Sequence, residues 1–331
     1  MKPPYEITSK ILNLVSEISH LLGRLDSIPM SAPEPRLRRK NRIRTIKATL
    51  AIEGNTFTEE QISAILENKK IIGGKKEIIE VKNAIGIYEN IEKYKMDSSK
   101  SFLAAHADLM AGLLESSGKY RTKNVGVLKG TIVKHVAPKP IMVPELMGNI
   151  FSWIKTDKEI NYLIKSCIVH YEIEFIHPFE DGNGRMGRFW QTVVLAKHNA
   201  IFKYVPIESL IERNQKSYYE TLEKSDKTGT STLFIEFMLE IIFNSLKEFD
   251  SEIIGVISTS EDRFMKAREF FGKKLFSRKE YMELFKAISS ATASRDLKVG
   301  IEQNILKGVG QKIRPSTNLI NYQNLSCLNI L

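Results

Sequence analysis

The chain has 331 residues, of which 42% are hydrophobic, and a net charge of +10. That length points to about two domains with a sizeable core, and the positive balance favours polyanionic partners such as nucleotides or nucleic acid. The composition excludes a helical membrane span, since no apolar run approaches the ~20 residues a bilayer requires, and it excludes a disulfide framework, since Cys167 and Cys327 are the two cysteines.

The opening MKPPYEITSK has no signal-peptide apolar segment, so a cytoplasmic location is expected. The first helix is expected in ITSKILNLVSEISHLLGRL, where Ile11, Leu12, Val15, Ile18, Leu21 and Leu22 recur at helical spacing. Three prolines in SIPMSAPEPR interrupt it. A second helix runs through LRRKNRIRTIKATLAIE and stops at Gly54, a residue suited to a helix C-cap. Its basic run, Arg36 to Lys47, reads as a solvated face. Thr58 and Gln61 form a capping-box pattern for a third helix, and VKNAIGIYENIEKY and KSFLAAHADLMAGLL continue the helical texture. VGVLKGTIVKHVAPKPIMV then brings β-branched residues, Gly and Pro, which suit a short hairpin or flap. Pro144 opens the next helix. INYLIKSCIVHYEIEFI is a long apolar helix that ends at His177, because Pro178 disfavours helix in the residue before it. RFWQTVVLAKHNA, NQKSYYETLEKSD and STLFIEFMLEIIFNSLKEF complete a mainly α unit near residue 250.

Between the apolar helix and the next stands HPFEDGNGRMGR, His177 to Arg188. Gly182, Asn183 and Gly184 allow a turn whose N–H groups converge as an anion nest, and the following helix adds its positive end. Arg185 and Arg188 lie three apart on the first turn and can each fork onto phosphate oxygens. Asp181 beside phosphates calls for a divalent cation, with Mg²⁺ the usual choice. A neutral His177 could take a proton from an incoming hydroxyl. No P-loop lysine and no preceding strand accompany the turn, which sets it apart from Walker and Rossmann sites.

These twelve residues resemble the signature of Fic-domain proteins, His-Pro-Phe-x-Asp/Glu-Gly-Asn-Gly-Arg-x-x-Arg, at every specified position. LMAGLLESSGKYR looks like the family's stretch ahead of the flap, GTIVKHVAPKP occupies the flap position, and SYYETL resembles the paired tyrosines beside the adenine pocket. The resemblance implies a Fic helical bundle that transfers AMP from ATP to a Ser, Thr or Tyr hydroxyl of a protein, itself included. It makes His177 the general base and Asp181 the holder of Mg²⁺. Gly182, Asn183 and Gly184 become the phosphate cradle, with Asn183 orienting the α-phosphate, and Arg185 and Arg188 bind the β- and γ-phosphates. Met186 and Gly187 fall at unspecified positions within the nucleotide-binding stretch. Tyr218 and Tyr219 flank the base, and Asp226 stands where the family often has an Asn that meets adenine. Val133, Lys134, His135 and Val136 of the flap pin the target segment by strand-like pairing. Phe179 is expected as a core anchor.

Thr49 and Glu53, in TLAIEG, lie four apart on one helix face. Glu53 falls in the last helical turn, where the macrodipole disfavours an anion. The stretch resembles the Fic inhibitory motif, Ser/Thr-x-x-x-Glu-Gly/Asn, which implies that Glu53 pairs with Arg188 and blocks the γ-phosphate. SSATASRDLKVGIEQNIL looks like the recognition-helix region of the winged-helix modules that often follow Fic domains. The organisation expected is a helical region at 1–95 with the inhibitory helix at about 36–54, a catalytic core at 96–250, a winged-helix-like unit at 251–314 and an irregular tail at 315–331. A homodimer is expected from the habit of relatives. Three other readings stay open: a DNA-binding regulator whose core senses nucleotide, phosphate or another nucleotidyl transfer, and AMP removal at the same site.

Overall fold

The computed structural model describes residues 3–26, 35–129, 132–256, 260–272, 274–285, 288–309 and 312–315. Cys327 and the tail at 316–331 lie outside the described residues. The described chain is mainly α. It forms two compact units, residues 1–23 with 32–249 and residues 24–31 with 250–331.

The larger unit begins with α1 (Ser9–Asp26) and α2 (Pro35–Ala51). Glycines and caps then punctuate the chain. Gly54 takes φ +90° after α2, and Thr58 caps α3 (Glu59–Leu66) with the reciprocal Gln61 bond of a capping box. Helices α4 (Lys75–Glu89) and α5 (Ser99–Leu109) lead to a two-stranded antiparallel flap, β1 (Gly126–Lys129) and β2 (Ile132–Val136), with a register shift between Val127 and Leu128. Then come α6 (Val143–Thr156), α7 (Tyr162–Ile176), α8 (Asn183–His198), α9 (Ile207–Arg213), α10 (Gln215–Thr228) and α11 (Thr232–Val256).

The core sits on α7 and α8. Leu163, Cys167, Ile168, Val169 and Ile173 of α7 and Met186, Phe189, Trp190 and Val194 of α8 are buried. Gly187 permits this close crossing. A Cβ on Gly187 would lie 2.7 Å from the His170 ring and 3.0 Å from Glu174 Oε1. The basic run of α2 is not a uniformly solvated face. Leu37, Asn41, Ile43, Thr45 and Ile46 are buried, while Arg39 pairs with Glu67, Arg42 with Glu89 and Lys47 with Glu212.

The smaller unit holds α12 (Ser260–Phe271), α13 (Arg278–Leu284), α14 (Ser290–Glu302) and the hairpin β3 (Leu306–Val309) with β4 (Lys312–Pro315). Its core is aromatic, with Phe264, Phe271, Phe276, Tyr281 and Phe285 packed on Leu297 and Leu306. Arg263 forks onto buried Asp296 at 2.6 and 2.8 Å.

Candidate active site

The site is built where α7 stops and α8 starts. The α7 helix ends because His177 takes the left-handed conformation, φ +49° and ψ +61°, with its N–H on Ile173 O at 3.0 Å. The chain then turns over Phe179, which is fully buried and stacks on His106 with ring centroids 3.5 Å apart. Asn183 closes the turn: its Oδ1 accepts from Phe179 N–H at 2.8 Å and its Nδ2 donates to Phe179 O at 2.9 Å. The Asn183 side-chain amide is thus engaged by the loop backbone. Gly182 at φ +84° completes the turn and stands as the N-cap of α8.

His106 fixes the loop from below. Gly118 N–H donates to its Nδ1 at 2.9 Å, so Nε2 carries the proton and donates to Asp181 O at 3.0 Å. Burial, set against the Asp181 carbonyl that favours the charged form, lowers its pKa from the ordinary 6.5 to about 4.

The two signature arginines are held by carboxylates, Glu53 on Arg188 and Glu80 with Asp181 on Arg185. Arg188, 2% exposed, donates from Nε to Thr49 Oγ1 at 3.0 Å and from Nη2 to Thr49 O at 3.1 Å and Glu53 Oε1 at 2.6 Å. Burial alone would lower its pKa, yet chiefly the Glu53 charge holds it above the ordinary value. Glu53 lies in the turn just after α2, not within the helix. Its carboxylate reaches the start of α8, where a Cβ on Gly184 would lie 2.6 Å from Oε1. An acid at the unfavourable end of one helix thus sits at the favourable end of another. Arg185, 4% exposed, donates to Asp181 Oδ1 at 3.3 Å and to Glu80 Oε1 at 3.4 Å. Glu80 in turn accepts from Asn55, just past Glu53, at 2.9 Å. Both arginines keep a buried donor that makes no hydrogen bond, Nη1 of Arg188 and Nε of Arg185.

The remaining expected residues divide. Tyr218 is buried, with its hydroxyl between His170 Nε2 at 3.0 Å and Glu174 Oε1 at 3.2 Å, whereas Tyr219 is 45% exposed. Asp226 accepts from Tyr171 at 3.0 Å. Burial and then the Asp226 charge push neighbouring Glu172 up to about 7. The Met186 side chain is fully buried core, and Gly187 packs on α7. Val133, Lys134, His135 and Val136 lie in β2. Sequence reading missed Glu80, His106 and Glu174, helix residues with no motif spacing, and gave no role to Arg121, which closes the family-like stretch LMAGLLESSGKYR.

The arrangement sets two buried arginines at a helix N-terminus, whose N–H groups and dipole favour an anion, with a carboxylate at its mouth and a histidine at its edge. The Fic/DOC family matches over residues 97–195. A crystal structure of a Fic family protein from Desulfovibrio desulfuricans G20 matches with a TM-score of 0.74 at 36% identity, over 96% of this chain and 99% of that one. The chain belongs to the Fic family. It is 31% identical over 238 residues to the protein adenylyltransferase Fic of Nematostella vectensis, which is 68% of this chain and 53% of that protein. It is 25% identical over 273 residues to the protein adenylyltransferase fic-1 of Caenorhabditis elegans, 76% of this chain and 49% of that protein. The chain therefore spans about half the length of these curated relatives.

Proposed function

We propose that this chain transfers AMP from ATP to a protein hydroxyl and that Glu53 restrains the transfer. The observation that carries the reading is the pair of buried arginines at the start of α8, each with an unused donor and each held by a carboxylate where phosphate oxygens would bind. Relatives named protein adenylyltransferase support it.

In this reading the target hydroxyl oxygen bonds to the α-phosphorus of ATP. The bond from that phosphorus to the α–β bridging oxygen breaks, and pyrophosphate leaves with the electron pair. His177, neutral, takes the hydroxyl proton. The α8 N–H groups and Gly182 and Gly184 receive the phosphates, Arg185 the β- and Arg188 the γ-phosphate. Tyr219 is placed to flank the base, and β2 to align the target segment. Asp181 fits a Mg²⁺ shared with phosphates, because its carboxylate is half-exposed at the mouth and Mg²⁺ commonly takes one or two carboxylates with substrate phosphates. The ion would neutralise phosphate charge. The Glu53 carboxylate holds the Arg188 fork that the γ-phosphate needs, so the wild-type chain binds ATP in competition with its own side chain.

Intact-mass measurement with Mg-ATP tests the reading on wild type, Glu53→Gly and His177→Ala. Adducts of one AMP that grow in Glu53→Gly and vanish in His177→Ala are expected. No adduct in any of them would move the reading to nucleotide sensing. A second activity, contact with DNA, is favoured by the charge of residues 273–314 within the smaller unit, which as a whole holds fourteen Lys or Arg against ten Asp or Glu. Residues 273–314 hold ten Lys or Arg against four Asp or Glu, an excess of six out of the chain's ten. Binding of a duplex that weakens steeply with salt is the expected result, and salt-independent or absent binding would remove this reading.

No helix among the described residues is long and apolar enough to cross a membrane.

A further inference from the structure

Arg121 is a third buried arginine of the larger unit, 2% exposed, and the proposed transfer does not use it. It closes the stretch GKYR ahead of the flap. Its guanidinium donates four hydrogen bonds, all to main-chain carbonyls. Nε reaches His177 O at 2.7 Å, Nη1 reaches Lys123 O at 3.0 Å, and Nη2 reaches Pro138 O at 2.6 Å and Ile176 O at 3.3 Å. Its own N–H donates to Pro178 O at 2.9 Å. Burial lowers its pKa, but a guanidinium stays charged in proteins.

The acceptors fall into two groups. Lys123 and Pro138 bracket the flap, three residues before β1 begins and two after β2 ends. Ile176, His177 and Pro178 are the end of α7 and the left-handed turn beyond it. The last carbonyls of a helix lack internal partners and carry the negative end of its dipole, so a buried cation is well placed there. One rigid, planar fork therefore joins both feet of the flap to the backbone of the histidine. None of these bonds involves residues 181–188, which receive the nucleotide in the reading above.

We propose that Arg121 is a positioning residue that fixes the flap relative to His177, so that a protein segment lying along the flap presents its hydroxyl to the imidazole. The inference rests on the AMP-transfer reading for its consequence, while the mechanical tie stands on the four bonds. A lysine supplies the charge but not the fork, so charge alone does not replace it. Misplacement by about 1 Å costs up to about a hundredfold in rate.

The test uses the full chain carrying Glu53→Gly, with Arg121 intact, Arg121→Lys or Arg121→Gln. Three quantities are measured: Mg-ATP affinity, partition of AMP between protein adduct and water, and amide hydrogen exchange of β1 and β2. We expect ATP affinity within about threefold of the parent, transfer to protein down by about thirtyfold or more, and a larger share of AMP released to water. Exchange in β1 and β2 should quicken about tenfold or more, with that of α8 and of α7 ahead of its last turn unchanged, because only the flap and the very end of α7 lose their anchor. Transfer within about threefold of the parent, a loss of ATP affinity parallel to the loss of transfer, or a lysine variant that behaves like arginine would each overturn the proposal. If the parent forms no AMP adduct, the transfer reading has failed on its own. The exchange measurement then decides: unchanged flap exchange removes the tie, and faster flap exchange alone keeps it. If both variants lose the cooperative thermal transition, Arg121 holds the whole unit, and the positioning role falls.

Discussion

The Glu53–Arg188 pair is asymmetric in burial, with the Arg188 side chain 1% exposed and the Glu53 side chain 32%. Removing the carboxylate leaves a buried cation with Thr49 as its hydrogen-bond partner and Glu174 as its nearby charge, and breaking buried pairs this way typically costs about 3–5 kcal/mol, less where one partner is wetted as here. Glu53→Gly is therefore expected to melt at a lower temperature than wild type without nucleotide. Added Mg-ATP should recover that loss in the variant and stabilise wild type less, because the γ-phosphate replaces the missing anion. Thermal scans of both chains with and without Mg-ATP check this, and equal ATP shifts would separate Glu53 from nucleotide binding. Glu80 is the weaker counterpart on Arg185, at 3.4 Å. Glu80→Gln should tighten ATP binding by a few fold, about 1 kcal/mol at most, with calorimetric titration as the measurement. Unchanged affinity would make Glu80 a structural partner only.

At the scale of elements, the crossing of α7 and α8 sets how far each helix can shift. Gly187→Ala would push a methyl against His170 and Glu174, and such overpacking costs about 1–3 kcal/mol. A urea midpoint lowered by that amount with AMP transfer also reduced is expected, since the same movement displaces the arginine that follows. How legible this was in the sequence depends on distance along the chain. His177, the turn glycines and both arginines lie within twelve consecutive residues, so their shared chemistry could be read locally. Glu53 was legible because TLAIEG, which resembles the inhibitory motif, is local too, although Glu53 lies in the turn beyond α2 and not on its face. Glu80, His106 and Arg121 reach the loop from 56 to 105 residues away; nothing near Glu80 or His106 distinguishes them from surface or core residues, and the family-like stretch that Arg121 closes does not say what its side chain reaches. Motif position also says little about where a side chain points. Asn183 closes its own loop and Met186 faces the core because successive residues on α8 turn by a fixed angle about its axis.

For the whole molecule, two titrating groups, buried His106 and half-buried Glu172, pull stability in opposite directions over the same pH range. His106 falls from 6.5 to about 4 on folding. Its contribution is fully present above 6.5 and is lost as pH falls towards 4, because the unfolded chain takes up the proton first. Glu172 rises from 4.5 to about 7. Its contribution is present below 4.5 and is lost as pH climbs towards 7, because the folded chain holds the proton longer. Between 4.5 and 6.5 each group changes stability by at most about 1.4 kcal/mol per pH unit, with opposite sign, so together they nearly cancel. The cancellation is exposed by removing one partner. Relative to wild type, His106→Gln should lose stability as pH rises through that window, and Glu172→Gln should gain it. Urea unfolding at half-unit steps from pH 4.5 to 6.5 measures both slopes. Parallel profiles for all three chains would mean that neither group keeps its shifted proton, and that the motif loop does not depend on a neutral His106 beneath Asp181.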